Sequence, residues 1–211
     1  WLLPMGAVGA AIARHSGKPL GIVAHSGPPV PFRVWPFRKV LGQVLASARS
    51  TACVADSVRR EIANVAGADD PERRVVLPLG VRLQASTAAA LSPDRPLRLL
   101  FVGRLVPIKG VDLLIRALSR LTGVTLDVAG DGPEASALRA LAADLDAPVR
   151  FLGQVAPEAA MRAMQVADLL VVPSRRTRLG REEGLPRVLL EAWACGLPVV
   201  TVEHRMNAVM D

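Results

Sequence analysis

Apolar residues in this 211-residue chain gather in runs of four to six, each followed by a loop and then by a segment with helical spacing. That alternation predicts an α/β fold with mainly parallel sheets. In the first part, strands are predicted at Leu20 to Ala24, Thr51 to Val54 and Val75 to Leu77, and helices at Phe37 to Ala48 and Ser57 to Ala66. From Leu97 the strands are Leu97 to Val102, Thr125 to Ala129, Val149 to Leu152, Asp168 to Val172 and Pro198 to Val202. The helices between them are Val111 to Leu121, Glu134 to Leu145, Glu158 to Gln165 and Leu185 to Ala194.

Gln84 to Pro96, QASTAAALSPDRP, has no apolar period and two prolines, the marks of a linker. Residues 1–84 and 97–211 are therefore expected to form two Rossmann-like domains joined by 85–96. In an open parallel sheet ligands bind where the strands end at their carboxyl side, so residues just after strands carry the most weight.

The length exceeds the usual single domain, and no run of eighteen apolar residues is present to cross a membrane. The stretch from Trp1 to Ala13 is apolar but has no charged leader, so it is not read as a signal peptide. With Trp at position 1, the chain is expected to begin inside a longer reading frame. Cys53 and Cys195 lie far apart and match no metal-ligand spacing or disulfide framework, which suits a reducing cytoplasm. The net charge is +7, with lysine at only three positions (Lys18, Lys39, Lys109). Such a balance fits phosphates, nucleic acid or an anionic membrane, and equally a genomic bias. Four Phe, three Trp and no Tyr leave few stacking groups, which argues against nucleic acid as a partner.

Four constellations could carry chemistry. In FVGRLVPIKG, Arg104 and Lys109 follow a strand directly and suit a diphosphate, the arginine as a bidentate fork and the lysine as a mobile point charge; they could also be solvated loop cations. Gly130 and Gly132 in GDGPE permit a tight turn and close approach of a ligand to the backbone, as many strand-to-helix turns do. In REEGLPRVLLEA, Gly184 and Pro186 place a helix start between Glu183 and Glu191. Free N–H groups at such a start attract a diphosphate, and a carboxylate within the helix could accept from sugar hydroxyls; an Arg187–Glu191 ion pair is the plainer reading. His25 ends the strand Leu20 to Ala24, either as a site residue or as a hydrogen-bonded turn residue.

Two further patterns have ordinary explanations. Asp144 and Asp146 have the Asp-X-Asp spacing that could hold a divalent cation, but they fall at a predicted helix end, so no metal site is assigned. The segment PFRVWPFRKVLGQVLASAR sets apolar residues at helical spacing beside Arg33, Arg38 and Lys39, which could touch an anionic membrane or simply pack as a surface helix.

In order, FVGRLVPIKG, GDGPE, VRFLGQV, ADLLVVPS and EGLPRVLLEAWACGLPVV resemble glycosyltransferase family 4, and WLLPMG, GKPLGIVAHSGPP, CVADSVRREI and VVLPLGV resemble the latter half of its N-terminal domain. The resemblance implies a GT-B fold, with both Rossmann-like domains incomplete in this chain. It also implies retaining transfer of a sugar from a nucleoside diphosphate sugar to a hydroxyl acceptor, in polysaccharide, lipid-linked or small-glycoside synthesis, with no cofactor and no metal. Arg104 and Lys109 would bind the donor diphosphate, Glu183 would meet the donor sugar and Glu191 the ribose. His25 would line the cleft, Gly184, Leu185 and Pro186 would present backbone near the diphosphate, and Gln154 would border the nucleobase. The family's usual His-Gly is His25-Ser26 here, and the loop SRRTRLGRE is longer and more basic than many members carry. The implied location is cytoplasmic, including the inner face of the membrane. A sugar-nucleotide epimerase on the same scaffold, or a donor-binding half that needs a partner chain, are the alternatives.

Overall fold

The alternation of strands and helices is present in the computed structural model, which describes residues 2, 4–28, 36–67, 69–81, 94–175 and 186–202. These residues fall into two compact units, one up to Leu79 and the other from Gly80.

In the first unit, helix α1 (Met5–Ser16) precedes strand β1 (Leu20–Ala24), and α2 (Phe37–Ser47) runs directly into β2 (Ala48–Cys53). Helix α3 (Asp56–Ala66) and strand β3 (Arg74–Val76) follow, and the strands pair in parallel in the order β1-β2-β3. Leu41 and Leu45 of α2 and Val58, Ile62 and Val65 of α3 bury their helical stripes against Ala24 and Cys53 of the sheet.

The sequence pattern did not predict α1, and the reason lies in its glycines, which lower helix propensity in isolation. Their lack of a Cβ is what lets the helix pack. A Cβ on Gly6 would stand 3.0 Å from Cγ1 of Val44, and one on Gly9 would stand 3.2 Å from Cδ1 of Leu20. Tertiary packing against α2 and β1 therefore outweighs the local cost.

The second unit contains β4 (Leu97–Val102), α4 (Val111–Leu118), β5 (Val124–Ala129), α5 (Ala135–Asp144) and β6 (Val149–Gly153). It continues through α6 (Pro157–Val166), β7 (Leu169–Val172), α7 (Arg187–Ala194) and β8 (Val199–Thr201). The five strands are all parallel, in the order β6-β5-β4-β7-β8. Leu99, Leu100 and Phe101 are buried in succession on β4, as befits a central strand covered on both faces. Helix α4 buries Val111, Leu114, Ile115 and Leu118, the full i, i+3, i+4, i+7 stripe. It ends three residues earlier than its pattern predicts: Arg120 and Leu121 donate to Ala117 and Leu118 in tighter i→i+3 turns that lead to the left-handed Gly123, and Leu121 is left exposed.

The register between β4 and β7 is fixed by Asp168, whose side chain has no exposed surface. Arg95 donates to both of its oxygens at 2.6 Å, the backbone N–H of Arg98 donates to Oδ2 at 2.8 Å, and the N–H of Asp168 donates to the Arg98 carbonyl at 2.9 Å. A buried carboxylate needs this degree of satisfaction. The Arg95 guanidinium, opposed in part by burial, holds the Asp168 carboxyl well below the usual range, at about 2.

Candidate functional site

The strand order places a topological switch point in the second unit. From β4 the chain steps outward through β5 to β6, then returns to the other side of β4 for β7 and β8. Loops diverge on either side of the gap between the carboxyl ends of β4 and β7, and in an open parallel sheet that gap is the ligand crevice. Arg104 follows β4 by two residues and is exposed. Lys109 closes a 3-10 turn, Pro107–Lys109, and its Cε lies 3.7 Å from where a Cβ on Gly103 would stand. Both cations thus ride one short loop at the switch point.

That loop is tied down on both sides. Toward β5, the N–H of Leu105 donates to the Asp131 carbonyl at 2.9 Å and the N–H of Glu134 donates to the Leu105 carbonyl at 3.2 Å. The contact is so close that only glycine fits. A Cβ on Gly130 would stand 1.8 Å from the Gly103 carbonyl oxygen, and one on Gly132 would stand 2.4 Å from the Leu105 carbonyl oxygen. The closest backbone approach at these two glycines is made by the protein's own β4 loop. Toward β7, a Cβ on Gly110 would stand 2.2 Å from the Pro173 carbonyl oxygen, and Gly110 is left-handed at φ 66°.

Helix α7 begins at Arg187 with Pro186 as its N-cap residue; Pro186 is buried and has no N–H of its own. Val188, Leu189 and Ala192 bury one face of the helix. Glu191 is half-buried, and its Oε1 lies 3.0 Å from Nε of Arg187. Glu183, Gly184 and Leu185 lie outside the described residues.

A family model described as "Glycosyl transferases group 1" matches residues 96–211, more than half of the chain and all of the switch-point machinery. The chain belongs to this family. A D-inositol 3-phosphate glycosyltransferase of Kineococcus radiotolerans is 35% identical over 204 residues, 83% of this chain and 45% of its own length. A GDP-mannose-dependent monoacylated alpha-(1-6)-phosphatidylinositol monomannoside mannosyltransferase of Corynebacterium glutamicum is 39% identical over 102 residues, 46% of this chain and 27% of its own length. The chain therefore spans less than half the length of these curated relatives. Among solved structures, Anabaena HepE in complex with UDP and glucose superposes with a TM-score of 0.74 at 22% identity, covering 94% of this chain and 59% of that one. Sucrose-phosphate synthase from Thermosynechococcus elongatus gives 0.74 at 23% identity, covering 93% and 53%. The architecture is that of the GT-B glycosyltransferases.

In this group 1 chain, the structure gathers Arg104, Lys109, Gly130 and Gly132 at the carboxyl end of the second sheet. Gln154 is exposed directly after β6, where the Gly153 carbonyl accepts from the N–H of Gly130. His25 is exposed directly after β1 of the first unit. Beside it the tight approach falls to Gly27 rather than Ser26, since a Cβ there would overlap the Glu61 carboxylate of α3. Asp144 ends α5 and Asp146 lies on the turn leading to β6, at the amino end of the sheet and away from the crevice. No cluster of His, Cys, Asp or Glu suited to a metal is found among the described residues. Both cysteines are buried thiols outside any disulfide, and burial pushes each above its ordinary pKa.

Sequence reasoning missed Arg175 and Asp112. Arg175 follows β7 and donates through Nε to the Pro107 carbonyl at 2.8 Å and through Nη1 to Oδ2 of Asp112 at 3.0 Å. Only the basic character of the loop SRRTRLGRE hinted at Arg175, and no local pattern marks a partner 63 residues away.

Proposed function

We propose that this chain is the donor-binding portion of a retaining glycosyltransferase that moves a sugar from a nucleoside diphosphate sugar to a hydroxyl acceptor. The observation that carries the reading is the pair Arg104 and Lys109 on one clamped loop at the β4/β7 switch point. Departure of the nucleoside diphosphate is the step at which charge develops. Cations already held in place stabilise that charge without reorganising at the moment of reaction, and losing one such group costs about a hundredfold or more in rate. Glu191 would accept from ribose hydroxyls, Glu183 from the donor sugar, and the backbone around Gly184, Leu185 and Pro186 would border the diphosphate. Gln154 would border the nucleobase and His25 the donor sugar. Gly130 and Gly132 would act on the donor by holding the β4 loop against the β5 turn. In this reading the cations do the electrostatic work, with neither metal nor cofactor.

The relatives' names point to donors and acceptors worth trying first, GDP-mannose and inositol-containing hydroxyl acceptors, while HepE was solved with UDP and glucose. The test is turnover by the full-length protein against a panel of nucleotide sugars with lipid-linked and soluble acceptors. Arg104→Ala and Lys109→Ala should each lose about a hundredfold in rate. Wild-type rates in both variants would refute the assignment.

A peripheral contact with an anionic membrane, on the cytoplasmic side, is the second part of the proposal. Helix α1 exposes Met5, Val8 and Ile12 along one stripe, and α2, which packs on it, exposes Phe37 and Val40 beside Arg38 and Lys39. Apolar side chains rimmed by cations are what an anionic lipid surface attracts. No helix among the described residues is long and apolar enough to cross a membrane.

A further inference from the structure

Arg175 lies three residues beyond the end of β7 and reaches across the switch point into the loop after β4. Its backbone N–H donates to the Ile108 carbonyl at 2.8 Å, Nε donates to the Pro107 carbonyl at 2.8 Å, and Nη1 donates to Asp112 Oδ2 at 3.0 Å. Three donors of one residue therefore grip the 3-10 turn that presents Lys109 and the first turn of α4 behind it. A planar guanidinium can make the two side-chain bonds at once in a fixed geometry, which a lysine cannot. Asp112 stands where a carboxylate also complements the positive end of α4.

Oδ1 of Asp112 is buried with no hydrogen-bond partner among the described residues, an unfavourable state for a carboxylate oxygen. On the β5 side the same loop is held by backbone bonds and close glycine contacts. The charged clamp thus serves the side of the loop nearest Lys109.

We propose that Arg175 is a positioning residue for the donor diphosphate, fixing the turn Pro107–Lys109 through Pro107, Ile108 and Asp112 so that Lys109 is already placed when the diphosphate arrives. It acts through Lys109 and does not touch the donor. The inference rests on the reading of Arg104 and Lys109 as the diphosphate site.

The two can be tested apart by calorimetry on the full-length protein, using UDP and GDP and following whichever binds more tightly. Arg175→Met should weaken binding about tenfold in the wild-type background but by less than about twofold in a Lys109→Ala background, because a group acting through Lys109 has nothing left to position. Arg175→Lys, which keeps the charge and one donor, should recover at least about threefold of the loss. If Arg175→Met melts too low to assay, Asp112→Asn, which weakens the same clamp without changing volume, takes its place with the same expected dependence on Lys109. Equal losses in both backgrounds, or none in the wild-type background, would overturn the role of Arg175. Unchanged binding in both Arg104→Ala and Lys109→Ala would instead overturn the diphosphate site, and the inference with it.

Discussion

Nε of Arg187 lies 3.0 Å from Oε1 of Glu191, one turn further along α7, with the arginine side chain 69% exposed and the glutamate 28%. An exposed i,i+4 pair of this kind contributes about 0.3–0.5 kcal/mol, so stability is a weak reason for this carboxylate to sit half-buried on an otherwise apolar helix. Arg187→Ala should therefore change the unfolding free energy by less than about 0.5 kcal/mol in denaturant titrations.

Glu191→Gln separates the two readings of that carboxylate. If it accepts from ribose, the amide should weaken nucleoside diphosphate binding about tenfold, a loss of about 1.4 kcal/mol by calorimetry. Equal affinity for the wild type and the variant would refute the ribose role.

Glycines at the site should differ sharply in their tolerance of a methyl group. At Gly130 a Cβ would meet the Gly103 carbonyl oxygen at 1.8 Å, and at Gly132 the Leu105 carbonyl oxygen at 2.4 Å, so alanine at either must displace backbone. Gly153 is left-handed, at φ 70°, but nothing lies within 4 Å of its Cβ position. Gly130→Ala and Gly132→Ala should cost more than about 2 kcal/mol of stability, and Gly153→Ala only about 1–2 kcal/mol from the backbone conformation itself. Thermal melts of the three variants check the order, and similar melting temperatures would contradict the clamped-loop geometry.

Asp168 should give the second unit an acid-sensitive component. Its folded pKa of about 2 lies below the ordinary 3.8, so the unfolded chain takes up the proton first as pH falls. The stability it contributes is fully present above about pH 4 and is lost as pH falls through the folded value near 2. Asp168→Asn should flatten the stability profile between these pH values. Arg95→Ala, which leaves the buried carboxylate with fewer donors, should destabilise by roughly 2–3 kcal/mol at neutral pH. An unchanged acid limb in Asp168→Asn would show that the pair has no such role.

Vesicle co-sedimentation tests the membrane surface. The full-length protein should bind phosphatidylserine-containing vesicles at low salt and release them as salt screens the basic rim. Replacing Met5 and Ile12 together by serine should reduce that binding several-fold, following the loss of inserted apolar area. Equal binding to neutral and anionic vesicles would remove the electrostatic part of the proposal.

The α/β architecture was legible in the sequence because amphipathic spacing is local. Val111, Leu114, Ile115 and Leu118 announce a helix within eight residues, and the run from Leu97 to Val102 announces a buried strand. The placement of Arg104 and Lys109 after a strand was legible for the same reason, as was the position of Glu191 inside a helix. Helix α1 was not, because glycine lowers local propensity, while its packing depends on residues outside the helix, Leu20 on β1 and the more distant Val44 on α2.

What the sequence by itself determined, then, is which segments become strands and helices and which cations stand at strand ends. What only the tertiary structure decided is how those ends are held. The strand order that puts β7 beside β4 creates the switch point. Asp168 fixes that register with Arg95, 73 residues away, and Arg175 clamps the Lys109 turn through Pro107 and Asp112, 68 and 63 residues away. Periodicity records only the near neighbours that a helix or strand brings into line. Contacts closed across such separations leave no local mark, because they exist only once the sheet has brought their partners together.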